Sequence, residues 1–177
     1  MSELTGIPWD RKGVCLRAVV ETPRGSRYKY AYEPETRALS VRFMLPRGLS
    51  WPYDYGFIPQ TLCDDGDPAD VVVILEEPTI PLATVRVRLV GGFEIYTDGE
   101  RNDRLLACPV PADGIALRTD DITTIFEFAD EELDQLQRFL TEYGEEQGHD
   151  VVCRSRYGPD DARDLVKQWH REWRNRR

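Results

Sequence analysis

The chain has 177 residues, 41% of them hydrophobic, and its 23 basic against 32 acidic side chains give a formal charge of −9. That size supports one core in one domain, residues 1–177, and the composition is neither collagen-like nor poor enough in apolar residues for disorder. The charge argues against nucleic acid, which needs a basic field, and the longest apolar run, residues 71–75, is far short of the roughly 20 residues that cross a bilayer.

From the N-terminus, MSELTGIPWDRKG lacks a basic leader followed by an apolar stretch, which predicts no secretory signal and a cytoplasmic location. Residues 14–110 read as strands, because CLRAVVET, RYKYAYE, ALSVRFML, VVVIL, VRVRLVGGFEIY and LLACPV are β-branched or alternating runs separated by Pro and Gly. Six short strands predict a small barrel or sandwich. After Arg118 the period changes. Leu133, Leu136, Leu140 and Tyr143 recur every three to four residues behind Asp130 as cap, with Gly144 as stop, which predicts an amphipathic helix. A second helix begins at GPDDA, with Pro159 in its first turn and Leu165, Val166, Trp169 and Trp173 on one face. The closing arginines, Arg171, Arg174, Arg176 and Arg177, read as a solvated helix end whose cations complement the dipole. The expected architecture is mainly β with α, a β-barrel carrying two C-terminal helices.

Cys15, Cys63, Cys108 and Cys153 form no Cys-x-x-Cys pair and read as buried apolar thiols. His149 and His170 offer little material for a histidine-based triad. The informative segment is CDDGDPAD at residues 63–70, which crowds Asp64, Asp65, Asp67 and Asp70 into a loop anchored to the apolar run VVVIL. Unpaired, those carboxylates repel one another, and a divalent cation relieves the repulsion. Hard oxygen ligands select Mg2+, Mn2+ or Ca2+ over zinc or copper. An EF-hand fails, since its glycine position holds Asp70. No GxxxxGK[ST] is present to support a P-loop. The bland alternative is a solvated acidic turn. Around this loop the chain supplies Glu21, Arg24, Arg27, Lys29, Arg42, Tyr53 and Tyr55, and later Asp98, Glu100, Arg101, Asp103 and Arg104. Metal-gathering carboxylates with Lys, Arg and Tyr donors describe a phosphate-handling site.

These residues resemble the soluble family I inorganic pyrophosphatases. ETPRGSRYKY, WPYDYGFIPQTL, DGDPADV and TDGE stand in that family's order and at similar spacing. The resemblance implies an OB-like five-stranded closed β-barrel with two C-terminal helices, hydrolysing inorganic diphosphate to two phosphates with Mg2+, Mn2+ serving as substitute, in a homo-oligomer with a hexamer favoured. By position, it implies metal ligation by Asp65, Asp70 and Asp98, and an outer-shell role for Glu21 through water. Asp67 corresponds to the base that readies the attacking water, and Lys29, Arg42, Tyr55 and Tyr143 to the donors that hold phosphate. The chain departs from the pattern at Ala31, Trp51 and Gly144, where the family has glutamate, usually tyrosine and usually lysine. In the TDGERNDR loop, one residue short and aligned backwards from LLAC, Asn102 falls at a metal-binding aspartate and Arg104 at a substrate lysine; a one-place slip would bring Asp103 in instead, but on a strand Asn102 and Arg104 share a face from which Asp103 points away. Losing one ligand charge costs on the order of 10² to 10³ in metal affinity, so Ala31, Asn102 and Gly144 predict weakened turnover. Glu33, Glu100 and Asp103 are the neighbours that could compensate. The alternative is an impaired pseudo-enzyme that binds metal or diphosphate, or serves as an assembly subunit.

Overall fold

Strands dominate the first two thirds of the chain because its apolar residues come in short β-branched runs that a pleated, half-buried surface accommodates. The computed structural model describes residues 4–6, 15–110 and 118–176. Val14, expected to open the strand region, and Arg177 of the basic tail lie outside them. The strands are β1 (Leu16–Thr22), β2 (Tyr28–Glu33), β3 (Ala38–Met44), β4 (Asp54–Phe57), β5 (Asp70–Val73), β6 (Thr84–Thr97), β7 (Glu100–Arg101), β8 (Arg104–Pro109) and β9 (Val151–Tyr157). Helices α1 (Asp130–Glu145) and α2 (Pro159–Asn175) flank β9.

Five strands close into a ring. β1 pairs with β4, β4 with β5, β5 with β8, β8 with β6, and β6 returns to β1. Every contact is antiparallel except β5 with β8, which run parallel. The long β6 serves two neighbourhoods: residues 84–87 pair with β1, and residues 92–97 pair with β9. A register shift between Leu89 and Gly91 marks the change. At Gly91, φ is +149° and an added Cβ would lie 2.3 Å from the Tyr157 carbonyl oxygen, so only glycine fits this close approach. β2 and β3 form a separate two-stranded sheet.

The run VVVIL lacks alternation because both of its faces are covered. Val72 joins Leu106, Phe93 and the α1 residues Leu133, Leu136 and Leu140 in one cluster. Val71 and Val73 join Leu105, Ala107 and the α2 residues Ala162, Val166 and Trp169 in another.

The structure corrects several local expectations. The N-cap of α1 is Ala129, and Asp130 opens the helix, where with Glu131 and Glu132 it complements the positive end of the dipole. Gly144 does not stop α1, which runs to Glu145. It is buried where a Cβ would lie 2.5 Å from the Val151 side chain, so it admits β9 rather than ending a helix. β9 itself and β4 were not among the expected strands; the arginines of VVCRSRY and the prolines around DYGF hide both.

Candidate active site

A cavity of about 640 Å³ opens where β1, β2, β3, β4, β5 and β8 meet the end of α1. β1 and β2 deliver their residues through irregularities. Glu21 sits at the register shift between Val20 and Thr22, and Lys29 at the shift between Lys29 and Tyr30, which re-aim the two side chains towards each other. Lys29 Nζ stands 3.4 Å from Glu21 Oε2, while Glu21 Oε1 accepts the Tyr32 N–H at 2.6 Å. Burial pushes the Glu21 carboxyl above its ordinary range, against the pull of Lys29 and the Tyr32 N–H. The ammonium also lies 4.2 Å from the centre of the Tyr55 ring and 5.6 Å from that of Trp51, a cation–π arrangement.

On the opposite wall, Asp70 at the start of β5 meets Arg104 at the start of β8. Arg104 Nη1 lies 3.0 Å from Asp70 Oδ2 and donates to the Asn102 carbonyl at 2.7 Å, with a further contact to the Asn102 side-chain oxygen. Burial opposes the Arg104 charge, but Asp70, with Tyr55 and Asp65 behind it, holds its pKa above the ordinary value. Tyr55 is buried, its hydroxyl hydrogen-bonded to Asp70, and burial keeps it protonated far above neutrality. Tyr143 of α1, packed on Trp51, is pushed up to about 12 by burial.

The acidic loop is a tight turn. Asp65 Oδ1 accepts the Asp67 N–H at 3.0 Å and the Cys63 N–H donates to the Asp67 carbonyl at 2.8 Å, with Gly66 at φ +88°. The Asp65 and Asp67 carboxyls are both raised, first by burial and then by the Asp70 charge; Asp67 adds to the rise at Asp65, against the pull of the Asp67 N–H. Arg42 and Lys29 pull Asp67 the other way without cancelling the effect. Among the described residues, the nearby cations therefore do not offset burial and the Asp70 charge in this loop.

The structure brings Glu21, Lys29, Arg42, Tyr55, Asp67, Asp70 and Tyr143 to one cavity. Arg42 is half-exposed and engaged with Glu33 of the neighbouring strand. Asp65 and Asp98 are not in the wall. Asp65 turns within the loop. Asp98, at φ +53° in the turn from β6 to β7, accepts the Asp150 N–H at 2.9 Å and lies 2.7 Å from His149 Nδ1. Asn102 and Arg104 face the cavity while Asp103 is buried behind it, as the alternation of an extended segment requires. His149, set aside as a catalytic residue on sequence grounds, reaches the rim. No local pattern signals it, because its partner Asp98 lies 51 residues away.

Among the described residues no three His, Cys, Asp or Glu side chains are gathered closely enough to hold a metal ion. The donor set nevertheless suits one. Asp65, Asp67 and Asp70 offer only hard oxygens, and the carboxyls of Asp65 and Asp67 are raised first by burial and then by the nearby Asp70 charge, which a divalent cation would offset. Among the described residues no helix is long and apolar enough to cross a membrane.

A ring of five strands beside an acidic loop, with lysine, arginine and tyrosine aimed into one cleft, defines a phosphate-handling enzyme, and the comparisons give its class. The family model for inorganic pyrophosphatase matches residues 18–174. The chain belongs to that family and is an inorganic diphosphatase. It is 35% identical over 152 residues to soluble inorganic pyrophosphatase 2 of Chlamydomonas reinhardtii, covering 86% of this chain and 77% of the relative. It is 33% identical over 141 residues to the inorganic pyrophosphatase of Synechocystis, covering 80% and 81%. The crystal structure of inorganic pyrophosphatase from Thermus thermophilus superimposes with a TM-score of 0.88 at 27% identity, covering 98% of this chain and 99% of that one.

Proposed function

We propose that the chain splits inorganic diphosphate in the cavity between Asp67 and Arg104. The observation that carries this reading is the convergence of Lys29, Arg42, Arg104, Tyr55 and Tyr143 on the same space as Asp67, Asp70 and Glu21. By the resemblance, Asp65, Asp70 and Asp98, with Glu21 through water, are the residues that would hold Mg2+, or Mn2+ in its place; Asp65 and Asp98 lie outside the cavity wall, and Asp98 would exchange its His149 and Asp150 contacts for the cation. When bound, such a cation offsets the charge of diphosphate and makes water a stronger acid at neutral pH. Asp67 accepts a proton from the attacking water, whose oxygen bonds to one phosphorus as the bridging P–O bond breaks. Lys29 and Arg42 offset the charge left on the departing phosphate, and the hydroxyls of the buried Tyr55 and the half-buried Tyr143, which stay protonated, donate hydrogen bonds to it. Arg104 adds a planar fork that matches two phosphate oxygens where a lysine would offer a point charge.

The same reading takes the five-strand ring as an OB-like closed barrel, residues 1–177 as one domain, and the working unit as a homo-oligomer, a hexamer favoured. Four unpaired thiols suit the reducing cytoplasm. The test is phosphate release from diphosphate by purified protein saturated with Mg2+ or Mn2+. Release above a buffer control supports the reading; none with either metal overturns it.

A further inference from the structure

The connector between β7 and β8, residues 102 and 103, carries the cavity residue Asn102 on little backbone pairing and leads directly into a second cavity residue, Arg104, at the start of β8. Residues 102 and 103 belong to neither strand, and the Asn102 N–H is tied to the Ile95 carbonyl at 2.7 Å. From the cavity side, Arg104 Nη1 donates to the Asn102 carbonyl at 2.7 Å and to the Asp103 carbonyl at 3.2 Å, and from behind the sheet the hold is the Asp103 side chain. Asp103 is fully buried at 0% side-chain exposure and accepts hydrogen bonds from Arg101 Nε and Nη2, both at 2.9 Å. Such a two-point contact fixes angle as well as distance. The buried Tyr157 hydroxyl lies beside the same carboxylate. It reaches that place across Gly92, where a Cβ would come within 2.5 Å of the hydroxyl oxygen.

Neighbouring residues of an extended chain point to opposite sides. Anchoring Asp103 behind the sheet therefore obliges Asn102 and Arg104 to face the cavity, where Arg104 meets Asp70 at 3.0 Å. A carboxylate buried with one cation has a single favourable arrangement, since leaving it unpaired would be costly.

We propose that Asp103 is a positioning residue: gripped by Arg101 behind the sheet, it fixes the connector so that Arg104 presents its guanidinium to diphosphate. The proposal rests on the reading of Arg104 as a phosphate holder, and the experiment separates the two. Full-length protein with Mg2+ is titrated calorimetrically with methylenediphosphonate, a diphosphate analogue that cannot be split at the bridge. The Arg104 Nε–H resonance, assigned by its loss in Arg104→Lys, is followed by 15N NMR.

Asp103→Asn is expected to move that resonance and to weaken analogue binding about tenfold, the loss expected for one charge-assisted contact. In an Arg104→Ala background the same substitution should change affinity less than about twofold, because residues that act as a unit are not additive. A general structural role would lower affinity equally in both backgrounds. That result, or an unmoved resonance, overturns the proposal. If Asp103→Asn does not fold, Arg101→Gln loosens the same grip from its more exposed end and replaces it in both measurements. Should Arg104→Ala bind the analogue as tightly as the parent, the phosphate-holding role of Arg104 falls while the resonance still decides whether Asp103 positions it.

Discussion

Two acidic turns of this molecule carry similar residues and opposite electrostatics. In the loop at residues 63–70, Asp65 and Asp67 are raised by burial and by nearby carboxylates, and among the described residues only Asp70 forms a salt bridge, with Arg104. In the segment at residues 98–103, each aspartate has a partner: Asp98 with His149 and the Asp150 N–H, Asp103 with Arg101. Hydrogen bonds from Asp150 and His149 hold the Asp98 carboxyl below its ordinary range. The first turn stores repulsion that a cation can release, whereas the second spends its charge on structure. Crowding of carboxylates is thus a poor guide to a metal site unless one also asks which of them the protein has already satisfied.

The sharpest way to break this contrast is Asp67→Asn. Loss of the proposed proton acceptor should reduce phosphate release by about 10² to 10⁴, while removal of a repelling charge should raise the melting temperature of the metal-free protein at pH 7. Loss of activity with a lowered melting temperature would mean that the loop holds no excess repulsion. Next in size, Asp70→Asn removes the charge of a proposed ligand and should weaken Mg2+ binding by about 10² to 10³ in calorimetry. Asp98→Asn should weaken it less, because His149 and Asp150 already compensate that carboxylate.

A smaller effect runs the other way. Asn102→Asp adds a carboxylate facing the cavity and should tighten Mg2+ binding by about tenfold, provided that Arg104 does not capture the new charge. Unchanged Mg2+ affinity would mean that the guanidinium had done so. The smallest expected effect is on pH dependence. Carboxyls raised in the folded state contribute stability that is complete below their unfolded values of about 4 and is lost as pH rises through the folded ones. Metal-free protein should therefore lose part of its stability between about pH 4 and neutrality, and Mg2+ should restore it. The loss should shrink in Asp67→Asn, as read from melting curves across that range.

Legibility from sequence followed the range of the interaction. The acidic loop, the apolar run at β5, the stripe of α1 and the shared face of Asn102 and Arg104 could all be read locally, since each depends on the period of one backbone segment. β9 was hidden because VVCRSRY mixes valine, cysteine, arginine, serine and tyrosine, and it forms because β6 offers a free edge. Gly144 read as a helix stop although its cause is a strand packed across it. Asp98 carried a metal role by position, yet its carboxylate is engaged by His149 and Asp150, which no spacing rule connects to it.

The amino-acid order by itself determined where chain segments alternate, where helices bury a stripe and where four negative groups are forced together, because these follow from backbone periodicity and covalent proximity. Tertiary structure alone decided which charges are neutralised. Lys29 turned to Glu21, Arg104 to Asp70 and Arg101 to Asp103 through strand bulges and pleat directions. Coulomb attraction acts through space, so a charge's partner is fixed only when the ring of strands closes.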